Sequence, residues 1–160
     1  MATAPMTPAI AAVAASGISH RVVEFPRVGS LAEAAAARGI DVSQIVKTLV
    51  VRRGPSDHLL VLVPGDRVID WPALRGHLGV SRVSLADADE AKRVTGYERG
   101  TITPFGSLRP LPVVADRLVD RPGEVSVGGG AHGVAIHLDG LDLVAACRAE
   151  VAEVSRPAAN

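Results

Sequence analysis

The chain has 160 residues, no net formal charge and 48% apolar residues, which suits one domain with a full core. Neutrality excludes a global field that would draw nucleic acid, so any RNA contact has to come from a local patch, and the single cysteine, Cys147, excludes an intramolecular disulfide and fits a reducing cytosol. No apolar stretch approaches the roughly 18 residues that span a membrane, and the Ala-rich start lacks a basic segment ahead of a long apolar one, so neither a membrane partner nor a signal peptide is expected.

Thr7-Pro8 reads as an N-cap followed by proline at the first helical position, with a helix to about Ser16 and Gly17 as its stop. His20–Phe25 reads as a strand. Ser30-Leu31-Ala32-Glu33 has capping-box spacing for a helix that Gly39 ends. Residues 45–52 and 58–63 read as two strands joined by a turn over 53–57. Asp70 caps a short helix that carries Trp71-Pro72 and stops near Gly79, and Asp87 to Glu90 repeats the box ahead of a helix closed by Gly96. Residues 96–106 are too rich in Gly and Pro for regular structure throughout. Strands are expected at about 112–115, 124–127 and 133–138, then a helix over 140–153 capped by Asp139, and a frayed tail over Ser155–Asn160. Interspersed helices and locally pairing strands predict a mixed α/β (α+β) domain, a single unit over 1–160 with its core at about 7–154.

Within this pattern Lys47 stands out. The chain holds two lysines against fifteen arginines, and Lys47 sits inside the apolar run Ile45-Val46-Lys47-Thr48-Leu49-Val50-Val51. A strand places its ammonium on one face with Ile45, Leu49 and Val51, where it either snorkels to water or meets an anion.

Two glycine-rich segments offer close backbone approach and bare N–H donors. Gly96, Gly100, Pro104 and Gly106 form the first, and Gly128-Gly129-Gly130, between two apolar strands, forms the second. Taken alone, each reads first as a structural turn. Neither spacing is that of a P-loop or a dinucleotide fingerprint. The histidines (His20, His58, His77, His132 and His137) form no ligand cluster, so no metal is expected. Cys147, among Val144, Ala145 and Ala146, reads as a small buried hydrophobe, and no serine-hydrolase elbow is present. Arg52, Arg53, Arg67, Arg82, Arg93, Arg99 and Arg109 surround the middle of the chain; on one rim they would suit a phosphate backbone.

The order of these pieces carries a resemblance. Lys47 in its apolar strand is followed by Gly96-Tyr97-x-x-Gly100-x-Ile102-Thr103-Pro104-Phe105-Gly106. Next comes Val127-Gly128-Gly129-Gly130-x-x-Gly133, and then Asp142-Leu143. From about Thr7 to Val154 the chain resembles the YbaK family, free-standing relatives of the prolyl-tRNA synthetase editing domain. The resemblance implies a partly closed, barrel-like mixed sheet surrounded by helices. It implies a cytoplasmic hydrolase that clears mischarged tRNA, often tRNA for proline carrying a small amino acid, in trans and without metal or cofactor. Its partners would be the acceptor end of aminoacyl-tRNA and an aminoacyl-tRNA synthetase, with no DNA or membrane partner.

By the same resemblance Lys47 corresponds to the essential lysine, and Gly100 and Thr101 to the loop whose backbone faces the terminal adenosine. Gly128, Gly129 and Gly130 correspond to the wall of the aminoacyl pocket, and Phe25 to an aromatic that lines it. Thr48, Thr103, Pro104 and Phe105 fall on the substrate-binding side. The chain departs from cysteinyl-tRNA deacylases at Gly128 and Ala135, where Ser and Asp are usual, and carries Thr103 in place of a Ser. These departures bear on which amino acid is removed. A non-catalytic module binding a tRNA end or a nucleotide remains the alternative, and a Schiff-base lysine a third reading.

Overall fold

The computed structural model describes residues 6–159. Local chemistry sets most element boundaries. Thr7 accepts from the Ile10 amide to open α1 (Pro8–Ser16), and Gly17, in the left-handed region, closes it. Ser30 caps α2 (Leu31–Arg38) through Glu33, Asp70 caps α3 (Trp71–Leu78) and Asp87 caps α4 (Ala88–Thr95). Asp139 caps α5 (Gly140–Cys147).

The strands are β1 (His20–Glu24), β2 (Val46–Gly54), β3 (Asp57–Pro64), β4 (Arg67–Ile69) and β5 (Ser84–Leu85), then β6 (Val113–Asp116), β7 (Glu124–Gly128), β8 (Val134–Asp139), β9 (Glu150–Ala152) and β10 (Ser155–Pro157). They form a five-stranded mixed sheet in the order β5-β2-β3-β6-β9, a three-stranded antiparallel sheet β1-β8-β7, and the pair β10-β4. The fold is mixed α+β. β2 and β3 form a long hairpin, in register from Val46↔Pro64 to Arg52↔His58. β3 pairs parallel with β6, and β6 with β9.

The apolar run of β3 is buried on both faces, as a central strand must be. Leu60 and Leu62 join a core with Val46, Val50, Tyr97, Phe105, Val127 and Ile136. Leu59, Val61 and Val63 join a second with Val51, Ile69, Leu74, Val114 and Val154. A parallel bridge between Ile45 and Ser126 ties the start of β2 to β7.

Two expectations fail at the C-terminal end. The last helix stops at Cys147 rather than running to 153, because Arg148 turns left-handed (φ 50°) and the chain leaves to pair with β6. The stretch from Ser155 is not a frayed tail: β10 pairs antiparallel with β4, and Arg67 holds Ser155 by its Oγ at 2.7 Å and its carbonyl at 3.1 Å. Val154 is fully buried, and its amide donates to the buried Asp116 carboxylate at 3.0 Å. Asn160 lies outside the described residues. No described helix is long and apolar enough to cross a membrane.

Candidate active site

Lys47 lies near the start of β2, opposite Val63. Its ammonium is half-buried and donates to the Arg67 carbonyl beyond the β3–β4 turn. Burial pushes its pKa below the ordinary lysine value, partly opposed by the nearby Asp66 carboxylate. Lys47 shares its strand face with Ile45, which packs against Ala34 and Ala35 of α2. Beyond the Ile45–Ser126 bridge β2 and β7 run in the same direction, so Lys47 and Gly128 each stand two residues past it. Thr48 turns to the other face, with its hydroxyl buried and without a partner among the described residues.

The two glycine segments pack on each other. The Gly130 amide donates to the Thr101 carbonyl at 3.2 Å, and Thr7 Oγ1 donates to the Gly129 carbonyl at 2.6 Å. Gly130 adopts a left-handed φ of 87°, and a Cβ on it would stand 2.9 Å from the Tyr97 ring and 3.2 Å from Thr7. The buried Tyr97 hydroxyl donates to the Phe105 carbonyl at 2.7 Å and closes the 96–106 segment on itself. The Gly129 amide is bonded to the Val134 carbonyl at 3.1 Å, so it is already engaged within the loop.

A cavity of about 360 Å³ opens beside these loops. It is lined by Phe25, the 27–30 loop, Leu31, Ala34 and Arg38 of α2, then Gly100 and residues 131–134. Of the residues singled out from sequence, Phe25 and Gly100 line it. Thr101, Thr103 and Phe105 are buried and do not line it, with Phe105 in the main core and Thr101 Oγ1 donating to the Glu98 carbonyl at 2.7 Å. Pro104 is half-buried between them. Gly128, Gly129 and Gly130, expected to wall the pocket, are not among its lining residues. Neither Lys47 nor Thr48 is among its lining residues.

Two lining residues escape the sequence reading. The Arg38 guanidinium stacks over Phe25, 4.5 Å from the ring centroid, and donates to Ser126 Oγ at 3.0 Å. Its Nε is buried without a partner among the described residues, and burial lowers its pKa. His132 stands against Gly100 and faces Glu98 at 3.7 Å. An arginine in a last helical turn reads from sequence as a complement to the helix dipole, and nothing local marks either side chain as lining a cavity.

Next to Arg38 on the three-stranded sheet, the buried His137 bonds the Glu124 carboxylate at 3.1 Å, and Arg21 grips the same carboxylate at 2.8 Å. The Arg21 hydrogen bond, helped by His137, holds Glu124 down to about 2. Burial lowers the His137 pKa, against the pull of Glu124. Burial pushes the Cys147 thiol up to about 12, which leaves it a poor nucleophile.

The family model described as "Aminoacyl-tRNA editing domain" matches residues 26–146. The chain belongs to the aminoacyl-tRNA editing domain family. It is 30% identical over 153 residues to the multifunctional Ser/Thr-tRNA deacylase ProXp-y of Escherichia coli K12, covering 93% of this chain and 92% of that one. It is 33% identical over 106 residues to the proline–tRNA ligase of Trichlorobacter lovleyi, covering 66% of this chain and 18% of the ligase. A crystal structure described provisionally as a trans-editing enzyme for prolyl tRNA synthetase superposes with a TM-score of 0.83 at 31% identity, over 93% of this chain and 95% of the other. Within this editing domain, α2 and the 131–134 loop form opposite walls of the cavity.

Proposed function

We propose that this protein is a free-standing, cytoplasmic aminoacyl-tRNA deacylase that acts in trans on mischarged tRNA, with tRNA for proline as its main substrate. It is a hydrolase of aminoacyl-tRNA ester bonds. The observation that carries this reading is the cavity beside α2, walled by Phe25, Gly100 and the 131–134 loop, in a chain of the editing family. All 160 residues serve as a single editing domain, with the two larger sheets joined at the Ile45–Ser126 bridge into a partly closed, barrel-like layer. A prolyl-tRNA synthetase is the partner that supplies the mischarged substrate.

The ester to be cleaved is already activated, so the reaction needs a placed water and charge stabilisation rather than a protein nucleophile. This agrees with the inert thiol of Cys147. Lys47 supplies a compact positive charge to the terminal phosphate or ribose. An ammonium has three donors, and the Arg67 carbonyl occupies one. The Gly100 amide, on the cavity wall, stabilises the developing oxyanion, and the terminal ribose hydroxyl assists the attacking water. The Gly129 amide is not used, because Val134 already holds it.

The cavity accepts small uncharged side chains, with Ser and Thr foremost given the substrates in the name of the E. coli relative. Size selection is leaky, since one methylene discriminates by only about 1–3 kcal/mol in an apolar pocket. A deacylation panel of Ala, Ser, Cys, Thr and Pro esters, on tRNA for proline and on one other tRNA, tests the reading. Multiple-turnover release of the small amino acids is expected. Binding of tRNA without turnover would assign the chain instead to non-catalytic capture of a tRNA end.

A further inference from the structure

The far end of the β2–β3 hairpin is unlike the rest of this neutral molecule. A pocket of about 280 Å³ there is lined by Arg52, Arg93 and Arg109 with His58 and Glu90. Beside it, sharing Arg52 and Pro55, lies a groove of about 530 Å³ lined by Arg52, Arg53, Arg75 and Arg82 with Ser81 and Ser84. Across both linings Glu90 is the one carboxylate. It faces Arg52 and Arg93 at 3.8 Å each and the buried His58 at 3.2 Å. Arg53 is taken up by Asp57 at 3.0 Å. Arg75, Arg82 and Arg109 make no ion pair among the described residues, and Arg52, Arg82, Arg93 and Arg109 are exposed. With zero net charge overall, this concentration makes a local positive field rather than a general one.

A further groove of about 190 Å³ is lined by Thr48, Leu85, Ala88, Ala91, Arg99 and Ile102 among others. Arg99 adjoins Gly100 of the cavity, and Leu85 adjoins Ser84 of the arginine groove. Along β2, Thr48 and Arg52 are ~13 Å apart at ~3.3 Å per residue.

We infer that the arginine-lined end of the β2–β3 hairpin seats the phosphate backbone of the acceptor stem while the charged end of the same RNA reaches the cavity along the Arg99 groove. This rests on the deacylase reading and adds the surface that holds the rest of the substrate. Guanidinium groups spaced along a groove suit successive phosphates, and they position the RNA without reading its bases.

The test compares the wild type with Arg52→Ala/Arg82→Ala/Arg109→Ala, and with Arg117→Ala as control. Arg117 lies at the other end of the sheet, paired with Glu153. Affinity for uncharged tRNA is measured between about 50 and 200 mM NaCl. Hydrolysis of an aminoacyl-tRNA is compared with that of the same amino acid esterified to a CCA trinucleotide, which has no stem. In the triple variant the tRNA affinity falls at least tenfold, and the slope of log affinity against log salt flattens by about two to three. The ratio of kcat/KM for tRNA to that for the trinucleotide falls with it, and Arg117→Ala matches the wild type. Single Arg82→Ala and Arg109→Ala variants each flatten the slope by about one. Wild-type affinity and slope in the triple variant would overturn the inference and give the patch to another partner, such as an acidic protein surface. Hydrolysis of neither ester by the wild type would instead remove the deacylase reading and leave the salt slope to decide the patch.

Discussion

Gly128 lies so close to Ile102 that a Cβ on it would stand 2.6 Å from the Ile102 carbonyl oxygen and 3.0 Å from that of Thr101. The absent side chain is what lets the end of β7 press against the segment that carries Gly100 to the cavity. Neither carbonyl belongs to a flexible side chain, so the loop itself must shift to admit a methyl group. Gly128→Ala is therefore expected to destabilise by about 1–3 kcal/mol, as overpacking does, and to lower deacylation by displacing the Gly100 wall. Denaturant unfolding and a turnover assay on the same preparation check this; a variant as stable and active as the wild type would show that the two segments are not coupled.

Arg38 and Phe25 form a second coupled pair, the guanidinium 4.5 Å above the ring. Arg38→Ala loses this stack and the bond to Ser126, and should cost about 1–2 kcal/mol. Arg38→Lys should recover little, since an ammonium lacks the planar face. Equilibrium unfolding of the three proteins measures the difference, and equal midpoints for Lys and Arg would show that charge alone suffices.

Acid should weaken the protein in two steps with one sign. The buried His137 titrates below its ordinary value of 6.5. As pH falls below 6.5 the unfolded chain takes up this proton before the folded one, and stability drops. Glu124, held at about 2 against an ordinary 4.5, gives stability that is complete above 4.5 and is lost as pH falls towards 2. Glu124 and Arg21 are partly exposed, so the lower step should be modest and shrink in salt. Unfolding midpoints against pH check both steps. Glu124→Gln should flatten the lower one, and an unchanged profile would contradict this assignment.

Val154 is fully buried in the second core, so Val154→Ala should cost about 1–3 kcal/mol. Thermal unfolding measures the loss, and an unchanged midpoint would contradict the packing of Val154 in this core.

Local patterns fix most of the elements, and pairing partners fix the rest. The caps at Thr7, Ser30, Asp70, Asp87 and Asp139 are legible because a hydroxyl or carboxylate two or three residues ahead of an amide acts locally. The β2–β3 hairpin is legible because its apolar run and turn residues agree. The stretch Val144-Ala145-Ala146-Cys147-Arg148-Ala149-Glu150-Val151 reads as helix throughout, and only the parallel edge of β6 draws its end into β9. β4 and β10, three residues each, exist through pairing with each other. Lys47 and the glycine segments are visible in the sequence as anomalies of composition. Arg38 and His132 are ordinary in the sequence and reach one cavity only because α2 and the β7–β8 loop converge on it.

In the proposed chemistry the Lys47 ammonium supplies the positive charge. Single-turnover hydrolysis of a mischarged tRNA for proline by Lys47→Ala, beside a tRNA-binding titration, tests it most directly. The expected result is a rate lowered roughly 10²–10³-fold, with tRNA affinity little changed and no rescue by Lys47→Arg. Wild-type turnover in Lys47→Ala would contradict it.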